Sequence, residues 1–194
     1  MQPQSLFILG RQPAIGRAEL ESVFGAGHLA PAGKLAMVCD VAPGDVPFER
    51  LGSIIRLARP VADIKRGKKW PDTARAALKQ LPALISHLPS EGKIKLGISV
   101  FEMDIAPAEL LRTGLEAKKI CKKQNRSVRI VPNSEPALNT AQVLHNNLTG
   151  ELGIELLLIP DGEIIHLAQT VAIQNIDAYT RRDRERPKRD TVRR

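Results

Sequence analysis

Aromatic side chains are scarce in this 194-residue chain: four Phe, one Trp and one Tyr, 3% of the whole. A protein that reads single-stranded bases chiefly by stacking carries more exposed rings than that. The shortage argues against stacked bases as the main contact. Cysteine is scarcer still, with Cys39 and Cys121 alone and no second ligand near either. No zinc spacing exists, and two buried thiols in a reducing compartment are the expectation. Long apolar runs are missing too. Nothing approaches the ~20 apolar residues of a membrane span. The N-terminus has no charged region ahead of its short apolar run, so it does not read as a signal peptide. The expectation is a cytoplasmic chain with no membrane partner.

Catalytic patterns are also lacking. Gly25-Ala26-Gly27 follows a predicted helix rather than a strand, so it is no phosphate loop. No glycine turn stands at a strand C-terminus, where a methyl donor or nucleotide would bind in a doubly wound sheet. His28, His87, His145 and His166 have no close carboxylate or cysteine partners along the chain. They read as surface or boundary residues. Asp161 and Glu163 flank a turn and are explained by it. No active site emerges, and a binding module is the better class.

What the chain does have is positive charge. Lys and Arg number 29 against 21 Asp and Glu, a formal charge of +8. The hydrophobic fraction of 43% is that of a core-forming protein. The excess is uneven. Residues 181–194 hold eight basic and three acidic side chains, +5, which leaves +3 for the first 180 residues. Such a block touches nucleic acid or an acidic surface, or is a solvated linker.

Periodicity predicts strands over 5–9, 35–41, 54–64 (bent at Pro60), 93–101, 127–131, 153–159 and 163–171. It predicts helices over 14–24, 47–51, 72–87 (capped by Asp72), 107–124 and 138–148. Pro160-Asp161-Gly162 marks a hairpin between the last two strands. The basic stretch K-R-G-K-K-W-P at 65–71 reads as a boundary. The fold class is α+β.

Two helices carry the candidate binding residues. At roughly 100° per residue, the helix over 107–124 turns Leu110, Leu111, Gly114, Leu115, Ala117 and Cys121 to one broad side, the core. Arg112, Lys119, Lys122, Lys123 and, just past its end, Arg126 gather opposite. With only Glu116 nearby these cations repel one another, and a polyanion would stabilise them because each phosphate contact releases condensed counterions; a solvated face that the lysines merely cover explains them as well. The helix over 138–148 points Ala141, Val143, Leu144 and Leu148 inward and leaves Gln142, His145, Asn146 and Asn147 outward. The amides of Gln142, Asn146 and Asn147 suit base edges and ribose hydroxyls; ordinary polar surface explains them as well. Lys65, Arg66, Lys68 and Lys69 form a further basic group.

The run L-N-T-A-Q-V-L-H-N-N-L at 138–148, G-I-E-L-L-L-I at 153–159 and Q-N-I-D-A-Y-T-R-R-D-R-E-R-P-K-R-D at 174–190 resembles the THUMP-containing tRNA guanine-N2 methyltransferase family. The opening I-L-G-R-Q-P-A-I-G-R-A-E-L-E-S-V-F-G at 8–25 is similar as well. In that family a Tyr, a spacer and an R-D-x-x-R-P-x-R-D element join the THUMP and methyltransferase domains. Tyr179, Arg182, Asp183, Arg186, Pro187, Arg189 and Asp190 match it. The resemblance implies a ferredoxin-like N-terminal domain over residues 1–66 and a THUMP domain over 67–175. A basic junction over 176–194 would follow them. It implies tRNA as the partner. The Asn-Pro-Pro-Tyr/Phe-type catalytic motif and the cofactor glycine motif are absent from these residues. The expected function is the substrate-holding half of such an enzyme, without catalysis by itself. The chain then needs no cofactor, and S-adenosylmethionine enters only with a catalytic domain or a separate methyltransferase subunit as partner. Two alternatives stand beside it: a free-standing RNA-binding adaptor for a separate tRNA-modifying enzyme, and a protein-interaction module with a basic tail.

Overall fold

The computed structural model describes residues 2–175 together with 180, 181, 184 and 185. Ser5–Leu9 (β1) buries every one of its side chains, because it lies inside a sheet covered on both faces. Pro13–Phe24 (α1) follows, with proline in its first turn, where no intrahelical N–H is needed. Leu29–Pro31 (β2) and Ala36–Cys39 (β3) form a short hairpin on the outer side of β1. Ile54–Lys65 (β4) is the long strand foreseen from its Ile, Leu, Val and Ala content. Its pairing register shifts between Pro60 and Ala62, as befits a proline that cannot donate to the ladder.

The second half is Trp70–Leu78 (α2), Leu81–Ser86 (α3), Ile94–Val100 (β5), Pro107–Lys123 (α4), Val128–Ile130 (β6), Thr140–His145 (α5), Gly153–Asp161 (β7) and Ile164–Ile173 (β8). All eight strands form one sheet in the order β2-β3-β1-β4-β8-β7-β5-β6. The pairs β5–β6 and β5–β7 are parallel and the others antiparallel. The α+β class therefore holds, as one mixed sheet. It passes without a break through the β4–β8 pairing.

Side-chain alternation sorts the core into two layers. Leu6 and Ile8 of β1 share a buried cluster with Leu157 and Ile159 of β7, so they lie on one face. Phe7, Leu9, Leu156 and Leu158 consequently face the other way. There α1 covers the β1–β4 side, and α2, α3 and α4 cover β5 and β7. The first face is closed by the segment 131–138 and α5, whose Val143 packs with Val131, Leu138 and Leu148. Gly97 of β5 lies under two leucine side-chain tips, which a Cβ would push aside. A Cβ would stand 2.5 Å from Leu138 Cδ1 and 2.6 Å from Leu148 Cδ1.

Several sequence expectations need correction. The helix foreseen over 72–87 is two helices, because Pro82 has no N–H for the Leu78 carbonyl one turn back. Asp72 does not cap it: Lys69 stands at the N-cap, and Asp72 pairs loosely with Arg75 at 3.4 Å. The stretch 47–51 contains only a single 3₁₀ turn, Phe48–Arg50. Strand β2 was not foreseen: Leu29-Ala30-Pro31 ends in a proline and is a strand only through its pairing with β3. The helix over 138–148 shrinks to Thr140–His145. On α4, Leu111 and Leu115 are 51% and 49% exposed. The helix rests on a narrow stripe, Leu110, Gly114, Ala117 and Cys121, and its broad apolar side was overestimated.

One polar cluster crosses the core. Arg56 of β4 reaches over β8 to Glu155 of β7, Nε to Oε2 at 3.0 Å, with the two side chains 3% and 0% exposed. Ser99 and Thr170 each donate to the same carboxylate at 2.6 Å. The Arg56 guanidinium also donates to the Leu138 carbonyl and lies 5.4 Å from the Phe101 ring centre. Removing one member of such a pair leaves a buried charge uncompensated, at a cost of about 3–5 kcal/mol. We therefore expect Arg56→Met to lower the urea midpoint sharply. The double variant Arg56→Met with Glu155→Leu should recover a large part of that loss. Equal or additive losses in a double-mutant cycle would contradict the coupling.

Candidate nucleic-acid interface

The α4 face is built by a helix whose two ends are both set by local chemistry. Pro107 opens it. At the other end Asn125 adopts a left-handed φ of 55°. Arg126 N then donates to Cys121 O, and Asn125 N to Lys122 O, which is a Schellman closure. Arg112, Lys119, Lys122 and Lys123 are exposed along this helix. Lys118 is exposed as well and belongs with them, one turn before Lys122; its place on the same arc was legible from helical spacing. Two members have intrahelical partners: Arg112 bonds Glu109, and Lys119 bonds Glu116 at 2.6 Å. Such exposed pairs are worth about 0–1 kcal/mol and open readily to a stronger anion. Arg126 is half-buried and donates to the Pro89 carbonyl at 2.6 Å, so it secures the turn after α4.

The amides of α5 have different roles from those expected. Asn139 and Gln142 form a capping box: Gln142 N donates to Asn139 Oδ1 at 2.8 Å, and Asn139 N donates to Gln142 Oε1 at 3.0 Å. Asn146 Nδ2 donates to the Gln142 carbonyl at 2.8 Å. Asn147 has a φ of 50°, and Leu148 N bonds Val143 O, so a second Schellman closure ends α5. The polar groups of Gln142 and Asn146 are thus engaged within the protein. Of the inward set, Val143 and Leu148 are buried, whereas Ala141 and Leu144 are exposed.

Two histidines gain carboxylate partners that sequence distance concealed. His28 Nδ1 lies 2.9 Å from Asp40, and His166 Nδ1 lies 2.7 Å from Asp63 across the β4–β8 pairing. Asp161 stands 3.5 Å from the other ring nitrogen of His166. Among the described residues no group of three His, Cys, Asp or Glu could hold a metal ion. No helix among them is long and apolar enough to cross a membrane. The ends of β5, β6 and β7 lead into Phe101-Glu102, Val131-Pro132 and a tight hairpin. Gly162 begins that hairpin with a φ of 57°. The junction residues Tyr179, Arg182, Asp183, Arg186, Pro187, Arg189 and Asp190 lie outside the described residues. Arg181 and Glu185 are within them and stand 3.9 Å apart.

Between α2 and α4 runs a groove of about 710 Å³. Its walls include Trp70, Ala74, Leu78, Pro82, Thr113 and Ile120. Trp70 is half-buried, and its Nε1 donates to Thr113 Oγ1 at 3.0 Å. Sequence reading counted this ring only as part of a shortage; its neighbours come from a helix more than forty residues further on.

No family model matches the chain, and no curated protein matches it. Solved structures do. TrmN from Thermus thermophilus matches with a TM-score of 0.51 at 14% identity, over 88% of this chain and 46% of that one. A predicted N6-adenine-specific DNA methylase from Listeria monocytogenes gives 0.46 at 14% identity, over 88% and 40%. A 4-thiouridine synthetase, solved as an RNA complex with bound ATP, gives 0.44 at 8%, over 87% and 41%. The chain spans less than half the length of these proteins. The TrmN likeness shows a shared fold across most of this chain.

Two outcomes follow from this geometry. Asn139→Ala removes the cap of α5 and should cost about 1 kcal/mol, within a usual range of 0.5–2, read as a lower midpoint in thermal or urea unfolding. Cys39 and Cys121 are buried, and burial raises both thiol pKa values above the ordinary range. Both thiols therefore stay protonated at mildly alkaline pH, and alkylation should be slow in the native protein and fast in denaturant. Rapid native labelling of either would contradict that burial.

Proposed function

We propose that the chain is an RNA-binding module, the substrate-holding part of a tRNA guanine-N2 methyltransferase. The observation that carries this reading is the cationic face of α4, set on a THUMP-related fold shared with TrmN. Lys118, Lys119, Lys122 and Lys123 extend outward from a helix fixed at both ends. Arg112 adds to them once an RNA phosphate displaces Glu109. Phosphate contacts of this kind hold a folded RNA with little regard to sequence. In this reading residues 1–66 act as the ferredoxin-like part, 67–175 as the THUMP part, and 176–194 lead toward the methyltransferase domain. Transfer of the methyl group belongs to that domain or to a partner subunit, which also supplies S-adenosylmethionine. The amides of Gln142 and Asn146 serve chiefly to hold α5 in place, and the exposed Asn147 amide remains a candidate RNA contact.

Binding of unmodified tRNA should weaken steeply with salt, by about 0.7–0.9 in log–log slope per phosphate contact. The triple variant Lys119→Gln, Lys122→Gln, Lys123→Gln should lower that slope by about 2 while leaving the thermal midpoint nearly unchanged. Filter binding or fluorescence anisotropy across a salt series measures both. Binding indifferent to salt, or to the triple substitution, would overturn the proposal.

A further inference from the structure

The groove between α2 and α4 does not stand alone. It shares Trp70 with a shallower depression of about 300 Å³ formed by the 66–69 loop and the segment after β5. It shares Arg112 and Glu116 with a third, of about 390 Å³, on the outer side of α4. The three adjoin at these shared residues, and their rims together make one track across the surface. Arg66, Lys68 and Lys69 stand at one end. Arg75, Lys79 and Arg112 border the middle. Lys118, Lys119 and Lys122 stand at the other end.

Four acids line the track against these nine cations: Asp104, which is exposed beside the 66–69 loop, and three that are held by neighbours. Glu102 accepts from the backbone N–H groups of Lys34 and Leu35, at 2.9 and 2.6 Å. Glu109 is held by Arg112, and Glu116 by Lys119. The track therefore presents a strong excess of positive charge, with a single indole partway along it. That indole is fixed in orientation by its bond to Thr113. It lines the groove together with the aliphatic side chains of Ala74, Leu78 and Ile120.

We infer that this track holds a single-stranded segment of RNA, with one unstacked base seated on Trp70 and its flanking phosphates on the basic residues at either side. A cationic groove interrupted by an aromatic platform is the physical form of a single-strand site. The flat ring accepts any base, so the seat is sequence-tolerant. The inference rests on the RNA-binding reading above. It adds the strandedness of the bound segment and the residue that holds the base.

The test uses the full chain and the fact that Trp70 is its one tryptophan. An eight-nucleotide oligoadenylate is titrated while Trp emission and the anisotropy of a labelled copy are followed together. The expected result is saturable quenching of Trp70 that tracks the anisotropy. A duplex of the same length should bind without quenching. Trp70→Ala should weaken the single strand about 5- to 100-fold, the range of one lost stacking contact. It should leave duplex binding within twofold. Trp70→Phe, which keeps a ring, should retain most of the affinity, and wild-type emission needs no variant at all. Single-strand binding without quenching would overturn the inference and leave RNA binding intact. No RNA binding at low salt would overturn both. Quenching by free adenosine at the same concentrations, unaffected by the phosphates, would show a small-molecule pocket and overturn the strand assignment.

Discussion

The Arg56–Glu155 pair is the constraint on which the rest of the structure depends. It is the one ion pair among the described residues with both side chains almost wholly withdrawn from water. Its members come from positions 99 apart in sequence and from strands separated by β8. Burying two charges is costly, and the cost is met only when every lone pair and N–H finds a partner. That requirement draws in Ser99, Thr170 and the Leu138 carbonyl. Ser99 in turn accepts from the Leu138 backbone N–H at 3.0 Å. The first-half strand β4, the second-half strands β5, β7 and β8, and the entry to α5 are thus tied into one arrangement.

The two faces of the sheet follow from this. On the face that carries the pair, the Leu138 tie brings the 131–138 segment down onto Gly97, where the absent Cβ gives the Leu138 and Leu148 side-chain tips their space. α5 is then short, capped at both ends by its own amides, and serves to close the layer. On the opposite face the helices pack mainly on apolar side chains, with local polar ties from the Gly52 and Ser53 N–H groups to Glu19 and from Trp70 to Thr113. α4 touches that core through a narrow stripe. The narrowness leaves a wide arc of α4 in solvent, and it is this arc that carries the lysines. A helix buried more deeply would have had no room for them.

The sequence foreshadowed much of this, and the misses have specific physical causes. β1, β3, β4, β5, β7 and β8 were legible because strands of four or more apolar residues announce themselves locally. β2 was not, since its pairing depends on β3 rather than on any pattern of its own. The break between α2 and α3 was written in Pro82 and overlooked, because the apolar spacing runs across it. The outward reading of Gln142 and Asn146 failed for a different reason. An amide's angular position on a helix does not reveal whether its hydrogen bonds are free, and capping uses them up first.

Charge, composition and helical spacing by themselves established a core-forming α+β chain with a cationic arc on the helix over 107–124. These depend on residue identity and on separations of a turn or two, which a sequence states directly. Only the tertiary structure decided which carboxylates meet His28, His166 and Arg56, which apolar residues of α4 remain in solvent, and that the lone tryptophan faces a groove lined with cations. Those facts join positions tens of residues apart. They are set by strand order and helix packing, which no local pattern in the chain encodes.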